Sequence, residues 1–133
     1  MTSLQPFVDQ WAVLLTTYRR DGTPVGTPVS LAVDGERAFL RSPGNGWKVR
    51  RMHNNQRVEI APCTVRGRPT GPSVPGLATR LEAVVAKRAA ARALRRKHPF
   101  LQGMLVPLAH RLLRCGTAYF ELRVTAPAVR RAA

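Results

Sequence analysis

Short runs of apolar and β-branched residues, set off by Asp-Gly and Gly/Pro-rich breaks, carry most of the chain, and the spacing becomes helical in only a few places. Trp11-Ala-Val-Leu-Leu-Thr-Thr-Tyr-Arg19 is strand-like and closed by Arg20-Asp21-Gly22, and Asp-Gly between apolar runs signals a hairpin. Thr27-Pro-Val-Ser-Leu-Ala-Val33 then meets Asp34-Gly35, and Arg37-Ala-Phe-Leu-Arg41 follows, so the pattern predicts a three-stranded antiparallel meander. Pro24 and Pro28 cannot donate to a ladder, which places the start of the second strand at an edge or bulge. The break Pro43-Gly44-Asn45-Gly46 ends this region, and residues 47–55 are expected to be helical, with Lys48 and Arg51 three apart on one face.

Beyond that helix, Arg57-Val-Glu-Ile-Ala61 alternates, Val58 and Ile60 facing one way and Arg57 and Glu59 the other, until Pro62 breaks it. Two Gly and three Pro within Arg66–Pro75 suit an ordered loop, and Leu77–Val85 resumes a strand with Arg80 and Glu82 on one face. Residues 86–97 are helical in pattern: Ala86, Ala89, Ala90, Ala93 and Leu94 form an apolar stripe, and Arg88, Arg92, Arg95 and Arg96 line the other side. His98-Pro99 should end this helix, and Met104–Leu113 fits a second one, with Pro107 in its first turn and Gly116 as its cap. Thr117–Val124 closes the series, with Tyr119, Glu121 and Arg123 opposed to Ala118, Phe120, Leu122 and Val124.

This order predicts an α+β domain whose mostly antiparallel sheet of six or so strands closes into a barrel, because short strands must hide their edges. A length of 133 residues makes one domain, with 1–10 a lead-in and 126–133 a frayed tail. Such a chain is short for enclosing a large cofactor alone, which favours a site shared across a dimer.

Charge changes the picture most. The chain has 22 Lys+Arg against 7 Asp+Glu, a net charge of +15. That balance draws polyanions, whether nucleic acid, an acidic membrane surface or an anionic small molecule. Cys63 and Cys115 have no CxxC partner and no clustered His, so neither zinc site nor disulfide framework is indicated, and buried inert thiols are expected. Neither a leader pattern nor an apolar run of membrane-spanning length occurs, and the cytoplasm is the expected location.

His53, His98 and His110 are scattered, and no nucleophile–base spacing or GxSxG is present, so an enzyme built on this chain needs a cofactor for its chemistry. The strongest candidate site is the start of the 47–55 helix, where Lys48, Arg51, free backbone N–H groups and the positive helix end converge on a volume suited to a phosphate or carboxylate. A solvated basic helix end is the ordinary alternative.

Leu40-Arg-Ser42, Gly46-Trp-Lys-Val-Arg-Arg-Met52, Arg57-Val-Glu-Ile-Ala-Pro-Cys63 and Arg66-Gly-Arg-Pro-Thr-Gly-Pro72, in this order and spacing, resemble the pyridoxamine-phosphate-oxidase-like split-barrel flavoproteins. The likeness runs from Trp11 to Val124, and the chain looks most like the deazaflavin (F420)-dependent branch. The resemblance implies a split β-barrel homodimer with cofactor sites at the interface, and an F420-dependent oxidoreductase that exchanges a hydride with a small unsaturated or aromatic acceptor. It puts Lys48, Val49 and Arg51 near the cofactor's phosphate-bearing tail with the Ser42 hydroxyl. Thr27, Pro28 and Val29 would lie along the ring, flanked by Ala61, Pro62 and Cys63; ordinary sheet packing explains Val29 and Ala61 equally well. Relatives often carry Ser where this chain has Gly46, whose backbone N–H could replace that hydroxyl. Trp47 would stack on a ring or pack beneath the helix.

An Arg-rich rim suits the several negative charges of F420 better than the single phosphate of FMN, which is the alternative cofactor. A non-catalytic F420 carrier of the same fold is a second alternative. A nucleic-acid module using Arg88, Arg92, Arg95 and Arg96 is a third, although no helix-turn-helix, zinc-finger or aromatic RNP pattern accompanies those residues and no specific nucleic acid is expected as partner.

Overall fold

A computed structural model of the chain describes residues 4–44, 46–64, 66–97 and 117–125. After a 3-10 turn at Gln5–Phe7, the elements are β1 (Ala12–Tyr18), β2 (Pro24–Val29), β3 (Ala32–Asp34), β4 (Arg37–Pro43), α1 (Trp47–Asn54), β5 (Arg57–Cys63), β6 (Val74–Leu81), α2 (Val84–Lys97) and β7 (Thr117–Val124). The expected second helix over 104–113, its flanking His98-Pro99 and Gly116, Cys115 and the 126–133 tail lie outside the described residues.

All seven strands join one antiparallel sheet in the order β2-β1-β5-β6-β7-β4-β3. Both Asp-Gly turns make hairpins, with Gly22 at φ 91 and Gly35 at φ 66, where other residues are strained. The expected meander is corrected, however. Its middle strand divides at Ser30 and Leu31 into β2, paired with β1, and β3, paired with β4, and the two halves occupy opposite edges of the sheet. Edges so close along the chain can both be reached only if the sheet curls round on itself. At this corner the Leu31 carbonyl has an ammonium partner, since Lys97 Nζ, at the end of α2, donates to Leu31 O and, at 3.3 Å, to Phe7 O. β2, with Pro24 and Pro28, is an edge strand, as its prolines require.

Three strand limits also differ from expectation. Pro62 sits inside β5 rather than ending it, because its carbonyl accepts Thr70 N–H at 2.8 Å. In extended backbone N and O of one residue point the same way, so the missing N–H faces that loop and the β1–β5 ladder loses nothing. The loop shortens to make room for β6, which starts at Val74 and ends at Leu81, and α2 takes over at Val84, where Ala and Arg propensity outweighs the two valines.

Inward residues of every strand merge into one core that includes Val13, Leu15, Ile60, Phe120 and Leu122, and Leu4 and Phe7 of the lead-in join it at 1% exposure. Val49 and Met52 of α1 belong to the same core. Helix α2 lies on the outer face instead, burying Ala90, Ala93 and Leu94 against Ala32 and Phe39, with Leu81 and Tyr119 packed alongside. Strand β7, the last of the described strands, is held between β6 and β4 in the interior of the sheet.

Candidate anion-binding site

Helix α1 follows Gly46, whose extended conformation (φ −71, ψ 155) starts the helix with no side chain capping its first N–H groups. Burial of Val49 and Met52 fixes how the helix is rotated. Trp47, Arg50, His53 and Asn54 are then left exposed, while Lys48 and Arg51 are half-buried. Desolvation, then the charge of Arg51, pushes the Lys48 ammonium pKa down; desolvation, then the charge of Arg19, does the same to Arg51. These three cations therefore share one neighbourhood.

Two contacts orient the cluster. Arg51 Nε donates to Thr17 Oγ1 at 2.6 Å, and Thr17 itself is 1% exposed, so a buried hydroxyl from β1 sets the guanidinium's direction. In the β1–β2 turn, Arg19 N donates to Thr23 O, Gly22 N to Arg19 O and Thr23 N to Asp21 Oδ1, each at 2.9 Å. That closed turn holds Arg19 and Arg20 beside α1.

Between turn and helix lies a cavity of about 940 Å³ lined by Arg19, Arg20, Gly44, Trp47, Val49, Arg50, Arg51, His53, Asn54 and Arg80. Five of its residues are arginines and none is acidic. Trp47 is 70% exposed, with the Arg50 guanidinium 5.2 Å from its ring centroid, so it stands at the rim and does not pack beneath the helix. Crowded like charges without acid partners make the free site electrostatically unfavourable, and a multivalent anion relieves this.

Of the residues singled out in the sequence, Val49 and Arg51 line the cavity and Lys48 adjoins it through Arg51. Ser42, paired with Ala118, is 1% exposed and not on the wall. Thr27–Val29 and Ala61–Cys63 are brought to either side of β1, where Leu14 pairs with Pro28 and Ala61, and Val13 with Val29 and Pro62. They too lie off the cavity wall. Cys63 is 6% exposed and burial pushes its thiol pKa up, as suits packing. Arg19, Arg20, Arg50 and Arg80 are wall residues that sequence reading missed. The Arg-Arg pair before a hairpin turn was a usable signal for the first two; Arg80 gave none, because only the β6 pairings bring it there.

On the other side of the β1–β2 hairpin a second cavity, of about 350 Å³, contains Tyr18, Arg57 and Glu59. Glu59 accepts from Tyr18 Oη at 2.5 Å and from Ser73 Oγ at 2.8 Å. Mainly through that first bond the Tyr18 pKa is pushed up to about 12 and the Glu59 carboxyl is held below its usual range. Among the described residues no His/Cys/Asp/Glu group could hold a metal, and no helix is long and apolar enough to cross a membrane.

No protein-family model and no curated protein matches the sequence. Among solved structures the chain is similar to HutZ, a heme storage protein from Vibrio cholerae, at 12% identity and TM-score 0.69, covering 92% of this chain and 91% of that one. It is similar to a candidate pyridoxamine 5′-phosphate oxidase from Listeria innocua at 16% identity and TM-score 0.62, covering 88% and 86%. An F420 reductase matches at 17% identity and TM-score 0.58, covering 92% and 93%. At such identities the likeness shows the fold alone, that of the pyridoxamine-phosphate-oxidase-like split barrels.

Proposed function

We propose that this chain is an F420-dependent oxidoreductase that works as a homodimer and passes a hydride between reduced F420 and a small unsaturated or aromatic acceptor. The observation that carries the reading is the cavity of about 940 Å³ walled by five arginines and no acid. Its charge and size fit the phosphodiester and glutamate tail of F420, which are multiply anionic, and FMN with one phosphate leaves more of the arginines without counter-charge. When bound, the deazaflavin supplies the hydride chemistry, which no side chain here can perform.

The chain's own residues bind and orient. Arg51, aimed by Thr17, and Arg19 take the phosphodiester with Lys48, and Arg20, Arg50 and Arg80 hold the outer negative charges. The paired segments Thr27–Val29 and Ala61–Cys63 flank the ring along β1. Ser42 has no surface to offer a phosphate in the single chain. Support for a dimer comes from the outer face of the sheet: α2 covers β3, β4 and β7, whereas Leu77 of β6 stays 43% exposed and Trp11, just before β1, 58% exposed.

Paired fluorescence titrations with F420 and FMN at moderate salt test this reading, with hemin as a third arm because His53 lines the cavity and could serve as an axial ligand. Tight, saturable binding of F420 alone is expected. Preference for FMN would change the chemistry and keep the site, and a hemin Soret shift lost in His53→Ala would replace the reading. Binding of F420 without hydride transfer to any of a broad panel of acceptors would make the chain a carrier.

A further inference from the structure

Helix α2 has no part in the cavity, yet it presents four exposed arginines of its own. At 100° per residue, Arg88, Arg92, Arg95 and Arg96 fall within a sector of roughly 100°, opposite the buried Ala90, Ala93 and Leu94. All four are exposed, and they span about 12 Å of helix axis. Arg95 extends the row toward β4, where burial first, and the charge of Arg95 after it, pushes down the pKa of the half-buried Arg41.

Among the described residues none of these four arginines is in a salt bridge, and the acids nearest α2 stand at its two ends, Glu82 before its first turn and Asp9 acting on Lys97 in its last. The chain has only 7 acidic residues, and α2 contains none. Asp34 and Glu121 are paired with Arg37 and Arg123, Glu59 holds Tyr18 and Ser73, and Asp21 takes the Thr23 N–H. No ion pair among the described residues reaches α2. An external anion can supply their partners, and because the four groups repeat along an axis the best match is a polymer with repeating charges.

We infer that the outward face of α2 is a docking surface for the phosphate backbone of a nucleic acid, bound without regard to sequence. A strand of duplex carries about one phosphate per 3.4 Å of axis, so the span from Arg88 to Arg96 covers three to four phosphates. The helix offers arginine forks at the spacing of phosphates and no aromatic group on which bases could stack, so the contact is assigned to the backbone. A membrane surface fits less well. Its helices must sink an apolar face, whereas the apolar stripe of α2 is already spent on Phe39 and Ala32, and only Val84 and Val85 at one end are exposed, at 61% and 79%.

The test is fluorescence-anisotropy binding of the full chain to labelled mixed-sequence duplex DNA across a salt series. Four contacts give a log–log slope of about −3.6, roughly a 150-fold loss of affinity between 50 and 200 mM salt. Replacing Arg88, Arg92, Arg95 and Arg96 by Gln should remove most of that slope, and the pairs Arg88→Gln/Arg92→Gln and Arg95→Gln/Arg96→Gln about half each, should the fourfold variant not fold. Loss of four charges at the exposed Arg57, Arg66, Arg68 and Arg123, which lie off the wall of the anion cavity, should reduce the slope by less than one. Equal losses in both sets would reduce the effect to net charge and overturn the inference. It would equally be overturned if phosphatidylserine vesicles bound the wild-type chain tightly and duplex DNA failed to compete. Unchanged F420 titration of the α2 variants separates this outcome from that of the cavity.

Discussion

Thr17→Val isolates one contact in the candidate site. The side chain is 1% exposed and its hydroxyl accepts Arg51 Nε–H at 2.6 Å, whereas Val occupies nearly the same space without an acceptor. Hydrogen bonds to charged groups are worth about 1.5–3 kcal/mol, and the partly exposed Arg51 belongs at the low end, so misaiming its guanidinium should cost about 1.5 kcal/mol of anion affinity, roughly tenfold in Kd. Folding stability should fall by about 1 kcal/mol or less, because Val leaves no buried hydroxyl wanting a partner. Titrations of F420 and of inorganic pyrophosphate, a ring-free anion, would be run beside urea unfolding of the same samples. A cycle with Arg51→Met completes the experiment: the double variant should bind no worse than Arg51→Met alone, a coupling near 1.5 kcal/mol. Additive losses, or an unaffected Thr17→Val, would refute the idea that the buried hydroxyl acts by aiming Arg51.

Lys48→Ala should weaken F420 binding by roughly 1–3 kcal/mol with the fold intact, and retained affinity in a direct titration would place the phosphodiester elsewhere. Gly76→Ala should destabilise the protein by about 1–3 kcal/mol in urea unfolding, since an added Cβ would meet the Arg123 carbonyl oxygen at 2.9 Å across the β6–β7 ladder; a stability equal to wild type would mean that ladder yields easily. The Tyr18–Glu59 bond sets a pH dependence: a tyrosine pKa raised from 10.0 to about 12 means the folded state holds that proton more tightly, so its stabilisation is complete below pH 10 and lost as pH rises through about 12. Over that window the melting temperature of wild type should fall more steeply than that of Tyr18→Phe, and parallel curves would deny the contact its role.

The hairpins and the start of α1 were legible because their signals are local: Asp-Gly at each turn, a Gly break, and cations three apart. The corner at Ser30–Leu31 was not, because apolar positions continue at two-residue spacing through Val29, Leu31 and Val33 with no breaker, and what bends the chain there is tertiary closure. Pro62 misled for a related reason. A proline's effect depends on which side its missing N–H faces, and only the fold decides that. The anion site was half visible: Lys48, Val49 and Arg51 announced themselves on one short segment, whereas Arg19, Arg80 and the hydroxyl of Thr17 reach it only through strand pairing. Tyr18 and Glu59, 41 residues apart, carry no sequence mark of their contact.

The interior place of β7 has a consequence for how the protein is made. While the chain emerges from the ribosome, β2-β1-β5-β6 and β4-β3 can form only as separate pieces, each with an open edge where β7 belongs. Closure of the sheet waits for β7 to insert between two partners at once, β6 nearby and β4 some eighty positions back. Until then the nascent protein exposes two matching edges, a template for chaperone capture or for mispairing with a neighbouring chain. A premature stop before Thr117 therefore yields an aggregation-prone fragment and not a smaller functional domain.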